Sequence, residues 1–133
     1  MDYGISRLRI AALAVGAFAS AAVLFYYGTG EYPLWWAAPC AILILLLVAP
    51  RLPGLIAFAI GATAYFLGSL NMLRYTRNIL ALPAGTSAIG PVPFAILAFM
   101  VVPACALGFA VVLFRFFVRR GQLWQGALAF AFA

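Results

Sequence analysis

Four long apolar runs constrain this chain more than any other feature of its sequence. They cover residues 8–27, 34–49, 55–73 and 94–114. A helix needs about 20 apolar residues to cross the hydrocarbon core of a bilayer, and only helices or closed barrels satisfy their backbone hydrogen bonds there. The runs therefore predict an all-α, polytopic membrane protein with four transmembrane helices. Whether the second run spans fully is left open, because it has only about 16 residues.

Composition excludes a water-soluble domain. The 133 residues are 68% hydrophobic and 8% charged, whereas a soluble domain is about 25% charged. We therefore expect one transmembrane helical domain over residues 1–133. A fifth apolar segment, residues 123–133, is too short to span. It is expected either to lie along the membrane interface or to be the first part of an incomplete fifth helix.

Arginine placement predicts the orientation. The formal charge of +6 comes from eight arginines and two acidic residues. With a cytoplasmic N-terminus, Arg74 and Arg77 lie outside, and the positive-inside rule is met by the six others: Arg7, Arg9, Arg51, Arg115, Arg119 and Arg120. Because the arginines stand at the ends of apolar runs, they favour membrane orientation over nucleic-acid binding.

The first run has a second possible interpretation. Arg7 and Arg9 followed by an apolar stretch with alanines at 17, 19 and 21 also resemble a secretory signal peptide and its cleavage site. We expect a retained helix instead, because the run is long for a signal peptide and the later helices need a first one to orient them.

Small residues recur on three of the runs at spacings of three or four. Such stripes let helices pack closely in a membrane. We expect close packing along each of them: Ala12, Gly16 and Ser20; Ala57, Gly61, Ala64 and Gly68; Ala104 and Gly108.

No catalytic or metal site is predicted. The chain contains neither histidine nor lysine, and its acidic residues are Asp2 and Glu31. Metal sites and nucleophilic triads need clusters that this composition does not provide. Cys40 and Cys105 lie inside apolar runs without a base to activate them. We therefore expect no metal and no cofactor.

The stretch 65–83 contains the polar residues that are the strongest candidates for a binding site. If the third helix continues, Asn71, Arg74 and Tyr75 share one face, with Arg77 beside them. Arginine binds phosphate bidentately, so we predict a phospholipid-headgroup site at these four residues. The alternative is that the arginines only anchor the helix end at the interface.

Several segments together resemble the N-terminal membrane region of bacterial apolipoprotein N-acyltransferases, in the carbon-nitrogen hydrolase (nitrilase) superfamily. They are YPLWW at 32–36, LLLVAPRLPG at 45–54, LGSLNMLRYTRNILALP at 67–83 and GQLWQGALAFAFA at 121–133. The resemblance covers essentially the whole chain, and the run 68–83 carries most of it.

The resemblance implies a role in lipoprotein biosynthesis at the bacterial inner membrane. In that family an acyl chain passes from a phospholipid to a lipoprotein through a thioester on an enzyme cysteine, using a Glu, Lys and Cys of a separate catalytic domain. No catalytic residue can be carried over here, since the chain has no lysine. It therefore resembles a fragment or truncated relative that supports acyl transfer, is no enzyme alone, and meets the lipoprotein only through that domain.

Two other functions are compatible with the sequence. The first is a small self-contained membrane subunit or assembly factor that acts by helix packing, as the small-residue stripes suggest. The second, less favoured, is an oligomeric transporter, because transport usually needs polar groups at the membrane midplane and only Thr63 and Ser69 are available there. The sequence does not determine the oligomeric state.

Overall fold

The computed structural model of the chain describes residues 3–29, 33–72 and 92–132, and the side chains of 8–29, 33–72 and 98–132. The described part contains helices and turns and no strand, which confirms the all-helical prediction for these ranges. Five α-helices occur in it, and a 3₁₀ turn, Ala49–Arg51, connects the second to the third: α1 Tyr3–Gly28, α2 Ala37–Val48, α3 Gly54–Ser69, α4 Val92–Arg119 and α5 Leu123–Ala131.

Two of the helices are long and apolar enough to cross a membrane. Their apolar spans are Leu8–Gly28 and Ala98–Arg119, of 21 and 22 residues, or about 32 Å each at 1.5 Å per residue. The other two predicted spans correspond to shorter apolar helices, Ala37–Arg51 and Gly54–Ser69. Of the four predicted transmembrane helices, two thus meet the length expected for a crossing.

Two helices have bounds that differ from those of the apolar runs. The fourth helix was expected over 94–114, but α4 runs from Val92 to Arg119, so Arg115 and Arg119 belong to the helix itself. The third was expected to reach residue 73, but α3 ends at Ser69. There the chain tightens into a turn, since the amide of Leu70 bonds Leu67 O at 3.3 Å.

The small-residue faces of α3 and α4 pack against each other as predicted. A Cβ on Gly61 would lie 3.4 Å from the Cα of Gly108, and a Cβ on Gly108 would lie 3.0 Å from the carbonyl oxygen of Phe58. Ala57, Ala64 and Ala104 are buried beside this crossing. Glycine is needed here because the two backbones approach more closely than a side chain allows.

The stripe on α1 meets no other helix within the described part of the bundle. Ala12, Gly16 and Ser20 are exposed, and no described atom lies within 4 Å of a Cβ placed on Gly16. The buried face of α1 lies one position further round the helix and consists of Ala17, Ala21 and Phe25. Because Ala21 and Phe25 belong to the central core, α1 is an integral member of the bundle.

Helices that follow one another in the chain run antiparallel. The end of α1 meets the start of α2, since a Cβ on Gly28 would lie 2.6 Å from the amide nitrogen of Ala38. The end of α3 lies beside the end of α1, so these two are parallel. The two ends of the bundle are therefore distinct. We call them the Asn71 end, with Thr29, Gly68 and Asn71, and the arginine end, with Arg51, Arg115, Arg119 and Arg120.

The short helix α5 folds back along α4. The amide of Gln122 bonds Phe117 O and that of Gly121 bonds Val118 O, both at 3.0 Å, and Gly121 has φ of +76°. This is the Schellman arrangement, in which glycine tolerates the left-handed backbone that reverses the chain. A Cβ on Gly126 would lie only 3.2 Å from Phe114 O, so α5 lies close alongside α4.

Candidate functional site

Of the four residues predicted to form a headgroup site, only Asn71 lies in the described part of the chain. Arg74, Tyr75 and Arg77 lie outside the described residues. Glu31, one of the two acidic residues of the chain, also lies outside them. What the structure adds about the predicted site is therefore the geometry of Asn71 and of the backbone that carries it.

Asn71 closes the carboxyl end of α1. Its side-chain nitrogen donates hydrogen bonds to the carbonyl oxygens of Tyr26 at 2.9 Å and of Thr29 at 3.0 Å. The last carbonyls of a helix have no partner within the helix, so an external amide that reaches them is stabilising. Both amide hydrogens are used in this way. Asn71 therefore acts as a clamp between the ends of α1 and α3.

Thr29 strengthens the same junction. Its hydroxyl donates to Phe25 O at 2.8 Å and also lies 3.3 Å from Gly68 O, across the interface with α3. Gly68 permits this approach because a Cβ there would collide with Phe25 Cβ and lie 3.0 Å from the amide nitrogen of Tyr26. The Phe25 and Tyr65 rings also meet edge to face, with centroids 5.3 Å apart. The Asn71 end is thus rigidly packed and neutral in its described part.

The arginine end carries positively charged side chains whose positions the structure describes. The Nε of Arg115 donates to Leu52 O at 2.6 Å, which joins α4 to the turn between α2 and α3. The Nη1 of Arg51 donates to Leu47 O at 3.3 Å. Arg119 is exposed one turn after Arg115. The guanidinium of Arg120 lies over the Phe116 ring, 3.9 Å from its centroid.

No family model, curated protein or solved structure matches this chain.

The sequence interpretation assigned the arginines of this end to orientation alone and did not treat them as a site. Two signals in the sequence indicate more. Arg115 and Arg119 are four positions apart, so they share a helix face, and Arg51 follows directly on the end of an apolar run. What the sequence did not show is that Arg115 contacts the residue next to Arg51.

The described ranges contain no group of three metal-binding side chains. Both cysteines are free, with Cys40 exposed on α2 and Cys105 half-buried on α4. Two shallow apolar grooves lie on the surface. One, of about 270 Å³, lies between α1 and α3 beside Phe18 and Thr63. The other, of about 320 Å³, follows α4 beside Phe99 and Pro103. Their linings suit hydrocarbon contact rather than reaction with a polar substrate.

Proposed function

We propose that this chain is a multi-pass protein of the bacterial cytoplasmic membrane, and that it forms the membrane scaffold of an apolipoprotein N-acyltransferase-like protein. The observation that carries the membrane assignment is the arrangement of side chains. Small residues fill the interior of the bundle, and large apolar residues cover its outside.

The interior is built mainly from alanine and glycine. Residues exposed by less than 1% include Ala21, Ala37, Ala41, Ala49 and Ala64. The outer surface carries Val15, Leu43, Phe99, Val102 and Phe109, each more than half exposed. In water such a surface would be costly, at about 25 cal/mol for each Å² of apolar area. In lipid it costs nothing, while small residues allow the helix backbones to approach.

The two long helices are not the core helices of a soluble protein. Only 22% of the most apolar stretch in Leu8–Gly28, and 28% of that in Ala98–Arg119, is buried. A helix that is apolar all round belongs either in a large core or in a membrane. Since most of each apolar surface faces outward in the described bundle, a membrane is the favoured surrounding.

The shorter helices α2 and α3 can still cross if aromatic residues at their ends lie in the headgroup layer and the bilayer becomes thinner around them. Trp35 is 83% exposed and Trp36 is 47% exposed just before α2, and tryptophan is favoured at headgroup depth. A bilayer adapts to a short apolar helix at a modest cost per ångström. With the described arginines gathered at one end, the positive-inside rule places that end and the N-terminus in the cytoplasm.

The acyltransferase assignment rests on the resemblance of the segments quoted above and on the character of the bundle. The described part is a packed bundle with an apolar outside, which suits a membrane region that supports a separate catalytic domain. In this role its own ligand is phospholipid, and it meets lipoprotein only through that domain. The proposed headgroup site at the outer end of the scaffold uses Arg74, Tyr75 and Arg77, while Asn71 of the predicted set positions the chain before them through its bonds to Tyr26 O and Thr29 O.

Topology can be tested with single cysteines in a cysteine-free background. Trp35→Cys lies at the Asn71 end and Gln122→Cys at the arginine end, and both positions are exposed. In intact spheroplasts a membrane-impermeant maleimide should label Trp35→Cys, and it should label Gln122→Cys only after lysis. The reverse pattern would overturn the orientation, and labelling of both without lysis would overturn the membrane placement.

The acyltransferase role requires a test in the native host. Deleting the gene should leave the N-terminal cysteine of lipoproteins diacylated but without its N-acyl chain, as measured by mass spectrometry of lipoprotein peptides. Restoring the gene should restore N-acylation. Complete N-acylation in the deletion strain would contradict this role without affecting the topology result.

A second candidate function, a membrane subunit that acts by helix packing, is favoured by the exposed stripe on α1. Ala12, Gly16 and Ser20 offer a narrow surface to a helix of another protein. Gly16→Leu should then abolish copurification of a membrane partner while leaving the bundle folded. If no membrane protein copurifies with the intact chain, this candidate fails.

A further inference from the structure

We propose that Arg51, Arg115 and Arg119 together bind the phosphate group of an anionic phospholipid at the arginine end of the bundle. This site is distinct from the one predicted at the other end. The inference rests on the proposed membrane placement, because its ligand is a lipid of the cytoplasmic leaflet.

Arg115 provides the fixed element of the site. Its Nε–H is held by Leu52 O at 2.6 Å, and its Nη1 would lie 3.6 Å from a Cβ on Gly54. The guanidinium is therefore anchored where α4 meets the beginning of α3. An anchored guanidinium loses less conformational freedom on binding, and its planar fork matches the geometry of phosphate.

Arg51 and Arg119 are exposed residues whose backbones lie next to this anchor. Arg51 immediately precedes Leu52, which accepts the hydrogen bond from Arg115. Arg119 is one helical turn beyond Arg115 on the same face of α4. Both are exposed, so their guanidinium groups can reach a ligand that approaches from the headgroup layer.

The positive charge of this end has no acidic partner in the described ranges. The chain has two acidic residues, Asp2 and Glu31, and both lie outside the described residues. The amino end of α3 adds a partial positive charge to the same region. Among the described residues these arginines meet no carboxylate, so an external anion would stabilise them, and the cytoplasmic leaflet supplies one in its anionic lipids.

Apolar side chains beside the arginines favour a lipid over a free anion. Leu55 is 81% exposed one residue after Gly54, and Leu47 is 61% exposed one turn before Arg51. A phosphate at the arginines would place the acyl chains of its lipid along these two leucines. A free phosphate would use the charges but leave the leucines unoccupied, so the combination fits a phospholipid.

Arg120 provides a matched control. It is exposed at the same end and carries the same charge, but it follows Arg115 by five positions, about 140° around the helix. Its guanidinium lies over the Phe116 ring. Replacing Arg120 therefore removes one charge from the end without removing a member of the proposed site.

Native mass spectrometry of the full chain in neutral detergent micelles tests the proposal. Phosphatidylglycerol, phosphatidylcholine and inorganic phosphate are titrated separately. We expect phosphatidylglycerol to bind at least about tenfold more tightly than phosphatidylcholine, with the preference falling as salt is raised. Arg119→Gln should weaken phosphatidylglycerol binding about tenfold, and Arg120→Gln less than about twofold. Arg115→Lys keeps the positive charge but loses the planar guanidinium that binds phosphate through two N–H groups, so it should also weaken phosphatidylglycerol binding.

Three results would overturn the proposal. Equal binding of the two lipids would show that the arginines do not recognise an anionic headgroup. Equal losses for Arg119→Gln and Arg120→Gln would show a diffuse charge effect without a defined site. Saturable binding of inorganic phosphate that phosphatidylglycerol does not displace would assign the site to a soluble anion. Circular dichroism of each variant establishes that it is folded, and the cysteine-labelling experiment reports separately on the membrane placement.

Discussion

The contact between Gly68 and Phe25 allows a quantitative test of how α1 and α3 pack. Replacing Gly68 with alanine adds one methyl group to a helix crossing with no space for it. The new Cβ would collide with Phe25 Cβ and would lie 3.0 Å from both the carbonyl carbon of Phe25 and the amide nitrogen of Tyr26. Two of these three atoms belong to the backbone, so no side-chain rotation relieves the clash.

The cost follows from the separation that this methyl group forces. Carbon atoms in van der Waals contact lie about 3.5 to 4.0 Å apart, so α1 and α3 must move apart locally. Such overpacking costs about 1 to 3 kcal/mol. The movement also weakens the hydrogen bonds from Asn71 to Tyr26 O and Thr29 O, worth about 1 kcal/mol each. We therefore expect Gly68→Ala to lower the free energy of unfolding by about 2 to 5 kcal/mol.

Unfolding in mixed micelles, driven by sodium dodecyl sulfate and followed by far-ultraviolet circular dichroism, measures this change. Gly16→Ala is the matched control, because it adds the same methyl group to α1 where no described atom lies within 4 Å. It should leave the stability unchanged or raise it by up to about 1 kcal/mol. A Gly68→Ala variant within about 0.5 kcal/mol of the wild type would refute the close crossing.

A double-mutant cycle separates the two contributions. If separation of the helices already breaks the Asn71 hydrogen bonds, Gly68→Ala combined with Asn71→Ala should cost less than the sum of the single changes. Full additivity would mean that Asn71 keeps its contacts after the substitution, and that the cost arises from packing alone.

Three further predictions follow from other contacts. Gly108→Ala should cost about 1 to 3 kcal/mol in the same unfolding assay, because its Cβ would lie 2.8 Å from the Phe58 ring and 3.0 Å from its carbonyl oxygen; wild-type stability would contradict the α3–α4 crossing. Asn71→Asp should destabilise at least as much as Asn71→Ala, since a carboxylate has no hydrogen to donate to the carbonyls of α1; a milder effect of aspartate would contradict the clamp. Gly121→Ala should cost about 1 to 2 kcal/mol through its φ of +76°, and an unchanged unfolding midpoint would contradict the reversal of the chain at this residue.

The sequence was sufficient for the all-helical class of the described ranges and for two of the three small-residue faces, those on α3 and α4. Apolar runs of membrane length can form only a few structures, so an all-helical chain followed directly from them. On α3, Ala57, Gly61, Ala64 and Gly68 were expected to face a neighbour and are buried. Glycine recurring at helical spacing is informative because it allows backbone approach that no other residue permits.

The stripe of small residues on α1 is exposed and not buried, and this difference from α3 has a physical reason. A stripe of small residues permits close approach but does not require it, and which face is buried depends on where the neighbouring helices lie. On α1 the neighbours α2 and α3 cover Ala17, Ala21 and Phe25, although Phe25 is large. The bulk of Phe25 is accommodated by the missing side chain of Gly68 on the opposite helix. Such complementarity between two helices cannot be found by examining either helix alone.

The candidate site likewise depends on contacts between two helices that neither helix reveals alone. Asn71 was identified from its polarity at the end of an apolar run, but its hydrogen-bond partners are carbonyls 42 and 45 residues earlier in the chain. Polarity at a helix end is consistent with ligand binding and with helix capping alike. Only the position of α1 beside α3 shows that the amide hydrogens of Asn71 are occupied by the protein.

The two ends of the bundle provide different hydrogen-bond donors for the free carbonyl groups at their helix ends. At the Asn71 end, the carbonyls of α1 are bonded by neutral amide and hydroxyl groups. At the arginine end, α2 and α4 terminate beside cations, and cations are stabilising at carboxyl ends of helices without any ligand. Helix-dipole stabilisation therefore accounts for the presence of Arg51 and Arg119 equally well. It does not, however, distinguish Arg119 from Arg120, because both stand at the same terminus of α4. A phosphate bound on one face of α4 makes the two residues unequal in their effect on lipid affinity, which the contact of Arg120 with the Phe116 ring does not do. The difference in lipid affinity between their glutamine variants therefore separates the two explanations.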